Sequence, residues 1–334
     1  MVKVAINGFG RIGRNALKIL LERRDVQVVA VNDITDANTL AHLLKHDSTY
    51  GIYDKKVSAG NKSLIINTRE IPVYAEKDPS KLPWKKLGVD VVIESTGLFT
   101  KPEDARAHIK AGAKKVVISA PAKGPGAKTI VLGVNEDQVS VEDDIISNAS
   151  CTTNCIAPIM KVLEEELGVE KAMMTTVHSY TGSQKLLDAP AKDLREARNA
   201  ATNIVPTSTG ASKATALTIP TLKNKFAGLS VRVPTPVVSL SDITALVKRN
   251  TTKEELTRLF IKAAREPYYE GILGVTNEEL VSSDFIGNPH SCVVDLPLLD
   301  VVGGNMIKVV AWYDNEWGYS NRLVELAVDF GKEK

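Results

Sequence analysis

Short apolar runs alternate with helical patterns through the first 150 residues of the chain. Residues 2–6 and 26–32 are rich in valine and predict strands, and residues 14–24 between them have the spacing of an amphipathic helix. Near-continuous Val/Ile runs separated by helical segments are typical of a parallel sheet that is covered on both faces. The first half is therefore predicted to be a doubly wound α/β domain. Further strands are predicted over residues 89–96, 114–120, 129–135 and 144–150.

The pattern changes after residue 150. A helical segment over 151–168 precedes an alternating, strand-like run over 171–181, and residues 181–210 form a polar, alanine-rich stretch without a clear period. Connections of that length are uncommon unless they serve a site or an interface. Later runs predict an antiparallel or mixed sheet, and an amphipathic helix ends the chain. These later strand-like runs cover residues 229–240, 291–297 and 306–313.

Length, composition and charge narrow the class of protein. A chain of 334 residues suggests two domains, and 43% apolar with 25% charged residues is the profile of a globular protein with large cores. The net charge of +2 argues against nucleic acid or a membrane surface as the main partner. No apolar run approaches the roughly 18–20 residues that cross a bilayer. The odd number of cysteines and the early Asn and Gly in the first ten positions favour a cytoplasmic protein without a signal peptide.

A glycine loop follows the first predicted strand. Gly8, Gly10 and Gly13 have the G-x-G-x-x-G spacing, directly after a strand and at the start of a helix. Such glycines permit a tight turn and close backbone approach to a pyrophosphate, which the helix N-terminus attracts. Asp33 follows the second strand, where a carboxylate accepts hydrogen bonds from a ribose and repels a 2′-phosphate; its alternative role is a turn or helix cap. Together these features predict a dinucleotide site that prefers NAD to NADP.

The segment ISNASCTTNCIAP at residues 146–158 carries two of the three cysteines. A zinc site needs about four ligands, and neither Cys292 nor the histidines supply them at a suitable spacing, so no metal is predicted. A disulfide does not suit the compartment, and a buried inert thiol suits Cys155 and Cys292. Cys151 follows a strand and lies at the first turn of the predicted helix, where the helix dipole and free N–H groups favour the thiolate. Position thus favours Cys151 as a nucleophile, while an inert role stays open at this stage.

A cysteine nucleophile benefits from a nearby imidazole, both as ion-pair partner and as acid/base. His178 lies near the end of the alternating run, at the start of the long polar stretch, and is the favoured partner. His290 follows Asn-Pro in a loop. His42, His46 and His108 fall in predicted surface helices of the first domain and are expected to be exposed to solvent.

Five motifs occur in this order along the chain: NGFGRIGR, ASCTTNC, MTTVHSYT, RVPTP and WYDNEWGYS. With them the chain resembles the phosphorylating glyceraldehyde-3-phosphate dehydrogenases over essentially its whole length. The resemblance implies a Rossmann NAD-binding domain over residues 1–150, completed by a C-terminal helix over 316–334. It implies an α+β catalytic domain with a mixed or antiparallel sheet over residues 151–315. It also implies a homotetramer in which the polar stretch after His178 lies at subunit contacts.

The implied activity is the NAD-dependent oxidation of D-glyceraldehyde 3-phosphate with inorganic phosphate to 1,3-bisphosphoglycerate, a step of glycolysis and gluconeogenesis. By resemblance, Cys151 is the nucleophile that forms a hemithioacetal and then a thioester, and His178 is its acid/base partner. The resemblance assigns NAD contacts to Gly8, Gly10, Arg11, Ile12, Gly13, Asp33, Lys77, Ser119 and Asn315. It assigns the substrate's phosphate to Thr181 and Arg232, inorganic phosphate to Thr209 and Gly210, and further substrate or phosphate contacts to Ser150, Thr152 and Arg198.

The chain departs from the family's pattern at two places. Glu196 in DLREAR stands where the family often has an arginine that helps bind inorganic phosphate, which leaves Arg195 and Arg198 for that role. Lys77 in EKDP keeps the charge near the adenine but lacks the planar surface of an arginine. Glu196 keeps open a dehydrogenase of the same fold that oxidises erythrose 4-phosphate and ends in hydrolysis. A dinucleotide-sensing protein without catalysis is the other alternative, and the paired thiol and imidazole argue against it.

Overall fold

The computed structural model describes residues 1–332, which divide into two compact units. Unit 1 contains residues 1–130, 137–149 and the chain from residue 320, and unit 2 contains residues 131–136 and 150–319. The last two residues of the predicted helix 316–334 lie outside the described residues. Within the described part, no helix has the length and apolar character that crossing a bilayer requires.

Unit 1 alternates strands and helices from its first residues. Its helices are α1 (Arg11–Glu22), α2 (Ala37–Lys45), α3 (Trp84–Leu87) and α4 (Pro102–Lys110). Its strands are β1 (Val2–Asn7), β2 (Val26–Asn32), β3 (His46–Asp47), β4 (Gly51–Ile52), β5 (Val57–Ala59), β6 (Ser63–Ile66), β7 (Arg69–Tyr74), β8 (Val91–Glu94), β9 (Lys115–Ile118), β10 (Lys128–Thr129) and β11 (Ile145–Ser147).

The main sheet of unit 1 has the strand order β10-β11-β9-β8-β1-β2-β7-β6-β5. Neighbours from β10 to β7 are parallel, and β6 and β5 add antiparallel strands at one edge. Every residue of β8 and β9 is buried, so both faces of the sheet centre are covered. The predicted doubly wound α/β class is confirmed. Because parallel strands end at one edge, the register brings Asn7, Asn32 and Glu94 together there.

Two local differences from the predicted strands have clear causes. The strand expected over 129–135 is wrong beyond Thr129, because residues 131–136 turn and pack with unit 2. The side-chain carbonyl of Asn135 closes that turn by accepting the Val131 N–H at 2.9 Å. The hairpin of β6 and β7 was not predicted, and it turns at Asn67, whose φ of 54° is one that asparagine tolerates.

Unit 2 joins a mixed sheet to a few helices. The helices are α5 (Cys151–Glu166), α6 (Ala211–Thr218), α7 (Lys253–Ala263) and α8 (Trp317–Lys332), and α8 continues into unit 1 from residue 320. The strands are β12 (Val169–Ser179), β13 (Val205–Ser208), β14 (Phe226–Val233), β15 (Ser239–Val247), β16 (Leu273–Thr276), β17 (Cys292–Asp295), β18 (Asp300–Val302) and β19 (Met306–Tyr313).

The sheet of unit 2 has the order β13-β14-β12-β15-β19-β17-β16, and β18 also pairs with β19. It is mixed: β12 and β14 are parallel, whereas β15 and β19 are antiparallel to their neighbours, so the predicted sheet type is confirmed. The prolines in RVPTP break the run 229–240 into β14 and β15. Residues 180–204 form turns and bends rather than regular elements. The parallel register sets His178 beside Arg232.

Candidate active site

Cys151 is the first residue of α5, and its side chain meets His178 near the end of β12. Ser150 caps the helix, because its Oγ accepts the Thr153 N–H at 3.1 Å. The Cys151 Sγ atom lies 3.5 Å from His178 Nε2, within reach of a sulfur–nitrogen hydrogen bond. The fold thus brings together a thiol and an imidazole that are 27 positions apart in the chain.

Burial acts against ionisation of both partners. It raises the pKa of the Cys151 thiol, and the positive charge of Arg232 acts in the opposite direction. Burial lowers the pKa of His178 to about 3; Arg232 adds to that effect, and the Ser179 backbone opposes it. The start of α5 favours the Cys151 thiolate, whereas burial of the side chain disfavours it, so the two effects on the pKa of the thiol oppose each other. Arg232 favours the thiolate and, with the same charge, disfavours the imidazolium.

The second ring nitrogen of His178, Nδ1, lies between a hydrogen-bond acceptor and a hydrogen-bond donor. Nδ1 lies 2.7 Å from the Ser179 carbonyl oxygen, which only accepts, and 2.5 Å from Arg232 Nη1, which only donates. A proton on Nδ1 suits Ser179 and leaves the Nε2 lone pair facing Cys151. The Arg232 contact suits the other tautomer. Moving Arg232 onto an anion would therefore leave Ser179 to orient the ring and would remove one cause of the low pKa of His178.

Tyr313 is a buried residue of β19 that links the two elements carrying the pair. Its hydroxyl lies 3.0 Å from Thr152 Oγ1 on α5 and 2.8 Å from Thr176 Oγ1 on β12. Its ring packs edge-on against His178, with centroids 6.0 Å apart. Burial raises the pKa of Tyr313, so the hydroxyl stays protonated and can bridge the two threonines. The sequence interpretation missed this residue, although it stands in the WYDNEWGYS motif.

Removing the Tyr313 hydroxyl is expected to destabilise this part of unit 2. Tyr313→Phe leaves two threonine hydroxyls without their shared partner, which should lower the free energy of unfolding by about 1–3 kcal/mol. Denaturant unfolding measures the change. Tyr268→Phe is the matched control, because the Tyr268 hydroxyl bonds to Lys161 and Glu136 at the surface. Equal losses in the two variants would contradict the bridging role of Tyr313.

Asn315 lies between β19 and α8 and is oriented by two serines. Its Oδ1 lies 2.9 Å from Ser179 Oγ and 3.0 Å from Ser239 Oγ, so the amide nitrogen is the part that can serve a ligand. Ser239 and Asp314 were not predicted as supporting residues. The buried Asp314 carboxylate holds this segment by accepting the backbone N–H groups of Gly287, Glu316 and Trp317.

Two of the residues assigned to phosphate lie at the start of α6. Gly210 is the N-cap of that helix, and Thr209 Oγ1 accepts the Ala211 N–H at 3.2 Å. The unpaired N–H groups of a helix start, together with a hydroxyl, suit an anion. Thr181 follows β12, and its Oγ1 lies 3.0 Å from Ser183 Oγ.

In the irregular stretch 180–204, Arg198 and Glu196 each contact another residue. Arg198 Nε lies 2.8 Å from the exposed carboxylate of Asp188. Glu196 Oε1 accepts the Thr207 hydroxyl at 2.7 Å and so ties the stretch to β13. The Glu196 carboxylate, which raised doubt about phosphate binding, thus contacts Thr207, and Arg198 contacts Asp188 through Nε.

Unit 1 carries a cavity of about 430 Å³ at the carboxyl ends of its central strands. Such an edge is where doubly wound sheets bind nucleotides. The cavity includes four of the residues assigned to NAD, whereas Ile12 and Ser119 do not line it. Its lining residues are Asn7, Gly8, Gly10, Asn32, Asp33, Ile34, Glu76, Lys77, Ser95, Thr96, Leu98 and Phe99.

The glycine loop has the close approaches that its spacing predicts. Gly8 has a φ of +95°, and a Cβ atom at Gly13 would collide with the Gly8 carbonyl oxygen. Asp33 supports the loop, because its Oδ2 accepts the Phe9 N–H at 2.7 Å. Of the two alternatives for Asp33, the helix cap is wrong, since Asp36 caps α2, whereas the turn is confirmed, because Asp33 Oδ1 accepts the Thr35 N–H at 2.9 Å. The loop and its carboxylate therefore fit a dinucleotide.

The basic residue of the loop is paired within unit 1. Arg11 Nη1 lies 2.6 Å from Asp47 Oδ2, and the guanidinium packs over the Tyr50 ring. Arg11 is also the first residue of α1, so its backbone N–H belongs to the helix start that suits a phosphate. The phosphate contact of Arg11 stays a prediction, and the backbone N–H is better suited to it than the side chain paired with Asp47.

The expectation that three histidines of unit 1 are exposed is correct for His42 and His46 and wrong for His108. His108 lies on α4 and is fully buried beside Trp84 and Glu94. The burial of His108 could not be predicted from a helical pattern alone, because the pattern does not show that Glu94 lies under the helix as a polar partner.

Family models and individual relatives point to the same family when the chain is compared with known proteins. Residues 2–102 match the family model described as glyceraldehyde 3-phosphate dehydrogenase, NAD binding domain, and residues 150–315 match its C-terminal domain. The glyceraldehyde-3-phosphate dehydrogenase of Geobacillus stearothermophilus is 55% identical, covering 98% of this chain and 97% of the relative. Glyceraldehyde-3-phosphate dehydrogenase 1 of Bacillus subtilis is 54% identical over 99% of both chains, and the enzyme of Borreliella burgdorferi is 52% identical over 98% of both.

Proposed function

Because this chain belongs to the glyceraldehyde 3-phosphate dehydrogenase family, we propose that it oxidises D-glyceraldehyde 3-phosphate with NAD and inorganic phosphate to 1,3-bisphosphoglycerate. The observation that carries the proposal is the contact between Cys151 Sγ and His178 Nε2 at the start of α5. A dinucleotide sensor has no need of such a pair. Unit 1 serves as the NAD-binding domain and unit 2 as the catalytic domain.

The first step joins the substrate to Cys151. With Nδ1 bonded to the Ser179 carbonyl, His178 Nε2 takes the thiol proton, and the sulfur attacks the aldehyde carbon. The aldehyde oxygen then receives the proton from His178 to give a hemithioacetal. The Cys151 backbone N–H at the helix start and His178 Nε2 stabilise the oxygen as negative charge develops on it.

Oxidation and release use the same two residues. His178 withdraws the proton of the hemithioacetal hydroxyl, which is required for loss of hydride from its carbon. NAD, when bound, would supply the hydride acceptor, and loss of the hydride from the hemithioacetal carbon leaves a thioester on Cys151. An oxygen of inorganic phosphate attacks the thioester carbon, the carbon–sulfur bond breaks, and Cys151 leaves as the thiolate. The acyl phosphate conserves energy that direct hydrolysis would lose.

The two phosphate groups are proposed to have separate sites. Arg232 and Thr181 hold the phosphate of the substrate, which moves Arg232 away from His178 Nδ1 and so makes the imidazole a better base. Thr209 and Gly210 hold inorganic phosphate at the start of α6, with Ser150, Thr152 and Arg198 as further contacts. Glu196 still stands where the family often has an arginine, and the proposed reaction is preferred to that of a hydrolytic erythrose 4-phosphate dehydrogenase because the relatives are named glyceraldehyde-3-phosphate dehydrogenases.

Exposed apolar side chains support association into a homotetramer. Met173 on β12 is 71% exposed, and Leu194 in the irregular stretch is 83% exposed, although such residues are normally buried. Leu186, Leu187 and Ile204 of the same stretch are also exposed. We expect light scattering to give four times the mass of one chain, and a monomer would contradict the proposal.

The free thiols of the chain fit the cytoplasm as its location.

The proposed reaction is tested by following NADH formation from glyceraldehyde 3-phosphate with and without inorganic phosphate. Sustained turnover is expected only with phosphate, because the thioester otherwise blocks Cys151 after one cycle. A stoichiometric burst without phosphate is the matching signature of the covalent step. Equal steady rates in both conditions would mean that water, not phosphate, cleaves the thioester. If no NADH formed, the proposal that this protein is a dehydrogenase would be rejected.

A further inference from the structure

Beneath the cavity of unit 1, between the sheet and α4, lies a buried pair that the reaction does not use. His108 is fully buried, and Glu94, at the end of β8, is 2% exposed. The His108 Nε2 atom lies 2.9 Å from Glu94 Oε2. The His108 ring stacks on Trp84, which belongs to the apolar cluster that also contains Val92, Ala105 and Ile118. Burying polar side chains such as these costs free energy that apolar residues in the same place would not, so the pair calls for a role besides stability.

The hydrogen bonds of His108 with Trp84 and Glu94 have determined directions, and Asn7 Nδ2, 3.3 Å from His108 Nε2, is a second donor beside the same Glu94 oxygen. Trp84 Nε1 lies 3.0 Å from His108 Nδ1, and an indole can only donate, so Nδ1 accepts and the ring proton is on Nε2. Nε2 therefore donates to Glu94. The carboxylate also accepts from Asn7 Nδ2 at 2.5 Å and from the Thr96 backbone N–H and hydroxyl. Glu94 oxygens thus meet donors only.

From Glu94 the chain of hydrogen bonds reaches one wall of the cavity. Because Asn7 donates to Glu94, its Oδ1 is left to accept, and it does so from Asn32 Nδ2 at 2.6 Å. Asn32 makes two hydrogen bonds to the backbone of Glu76. Its Oδ1 accepts the Glu76 N–H, and its Nδ2 donates to the Glu76 carbonyl, both at 2.9 Å. A reversed amide at either asparagine would set donor against donor.

Two further lining residues of the cavity contact the same pair. Thr96 lines the cavity and receives its orientation from Glu94 Oε1. Phe99, another lining residue, packs edge-on against the His108 ring with centroids 6.4 Å apart. The buried pair therefore contacts several residues that line the cavity, although neither His108 nor Glu94 lines it.

We propose that His108 and Glu94 are positioning residues for NAD, which set the amide orientations of Asn7 and Asn32 and hold the Thr96 and Glu76 walls in the shape that the dinucleotide needs. The pair acts on cofactor binding and leaves the thiol chemistry of unit 2 unchanged. The proposal rests on the NAD-binding domain and does not require the proposed substrate to be correct.

Calorimetry of NAD binding to the full-length protein tests the proposal. His108→Leu removes the donor to Glu94, and we expect the Kd for NAD to rise about tenfold, as for loss of one or two buried hydrogen bonds. The kcat at saturating NAD should stay within about twofold. Ile109→Ala is the matched control: it truncates the next residue of α4, which packs on the same apolar cluster, and should lower the Tm without changing the Kd.

A second variant keeps the test decisive if His108→Leu does not fold. Glu94→Gln has nearly the same shape but presents an amide nitrogen to donors, and it should raise the Kd for NAD by a similar factor. An unchanged Kd in the folded variants, or an equal rise in Ile109→Ala, would overturn the positioning role. Because binding is read directly, these outcomes are independent of whether glyceraldehyde 3-phosphate is the substrate.

Discussion

Cys151→Ser is expected to lower the turnover of glyceraldehyde 3-phosphate by at least about a thousandfold, because a serine hydroxyl in this site is a far weaker nucleophile than a thiol. Its proton is harder to remove, and an oxygen ester does not conserve the reactivity of a thioester. Steady-state NADH formation measures the loss. Calorimetry should show that NAD binding is retained, since the cavity in unit 1 contains no part of Cys151.

The neighbouring cysteine provides the matched control. Cys155 lies one turn further along α5, is fully buried, and contacts the Ser241 hydroxyl, so the expectation that Cys155 and Cys292 are packed thiols is confirmed. Burial raises the pKa of Cys155 well above its ordinary value. Cys155→Ser should keep kcat within about threefold while placing a hydroxyl in the core at some cost in stability. Activity lost in Cys155→Ser and kept in Cys151→Ser would overturn the mechanism.

His178→Asn is expected to lower kcat by about a hundredfold to ten-thousandfold, the range for loss of a general acid/base. Asparagine does not exchange a proton near neutral pH, so neither the thiol nor the hemithioacetal hydroxyl finds a base at 3.5 Å from Sγ. The rate of the variant should keep rising with pH, because hydroxide then replaces the imidazole. Steady-state kinetics over a range of pH values provide the measurement.

Another histidine of unit 2 serves as the comparison for this variant. His290 lies in a loop where its Nδ1 contacts Asn288 Oδ1, and no step of the mechanism uses it. His290→Asn should leave kcat within about threefold, with the same pH profile as the parent. If the two variants lost activity equally, the loss would reflect folding rather than the base, and the role of His178 would have to be withdrawn.

Local sequence was sufficient for the elements that carry the site. The Val/Ile runs predicted β1, β2, β8 and β9, because continuous burial on both faces leaves a direct trace in residue type. Cys151 was placed at a helix start from the small residues before it and the helical pattern after it. The supporting residues Ser239, Asp314 and Tyr313 escaped prediction, because each acts on a partner far away in the chain.

From the sequence alone came most of the central strands and helices, the turn of the glycine loop, and the cysteine that begins a helix. These follow from periodicity, backbone sterics and helix ends, which are properties of neighbouring residues. The partners of the polar groups, in contrast, followed from the packing of the folded chain. His178 meets Arg232 through the register of β12 and β14, Glu196 meets Thr207, and His108 is buried on Glu94. The physical reason is that a hydrogen bond depends on atoms about 3 Å apart, and such distances are set when sheets and helices pack.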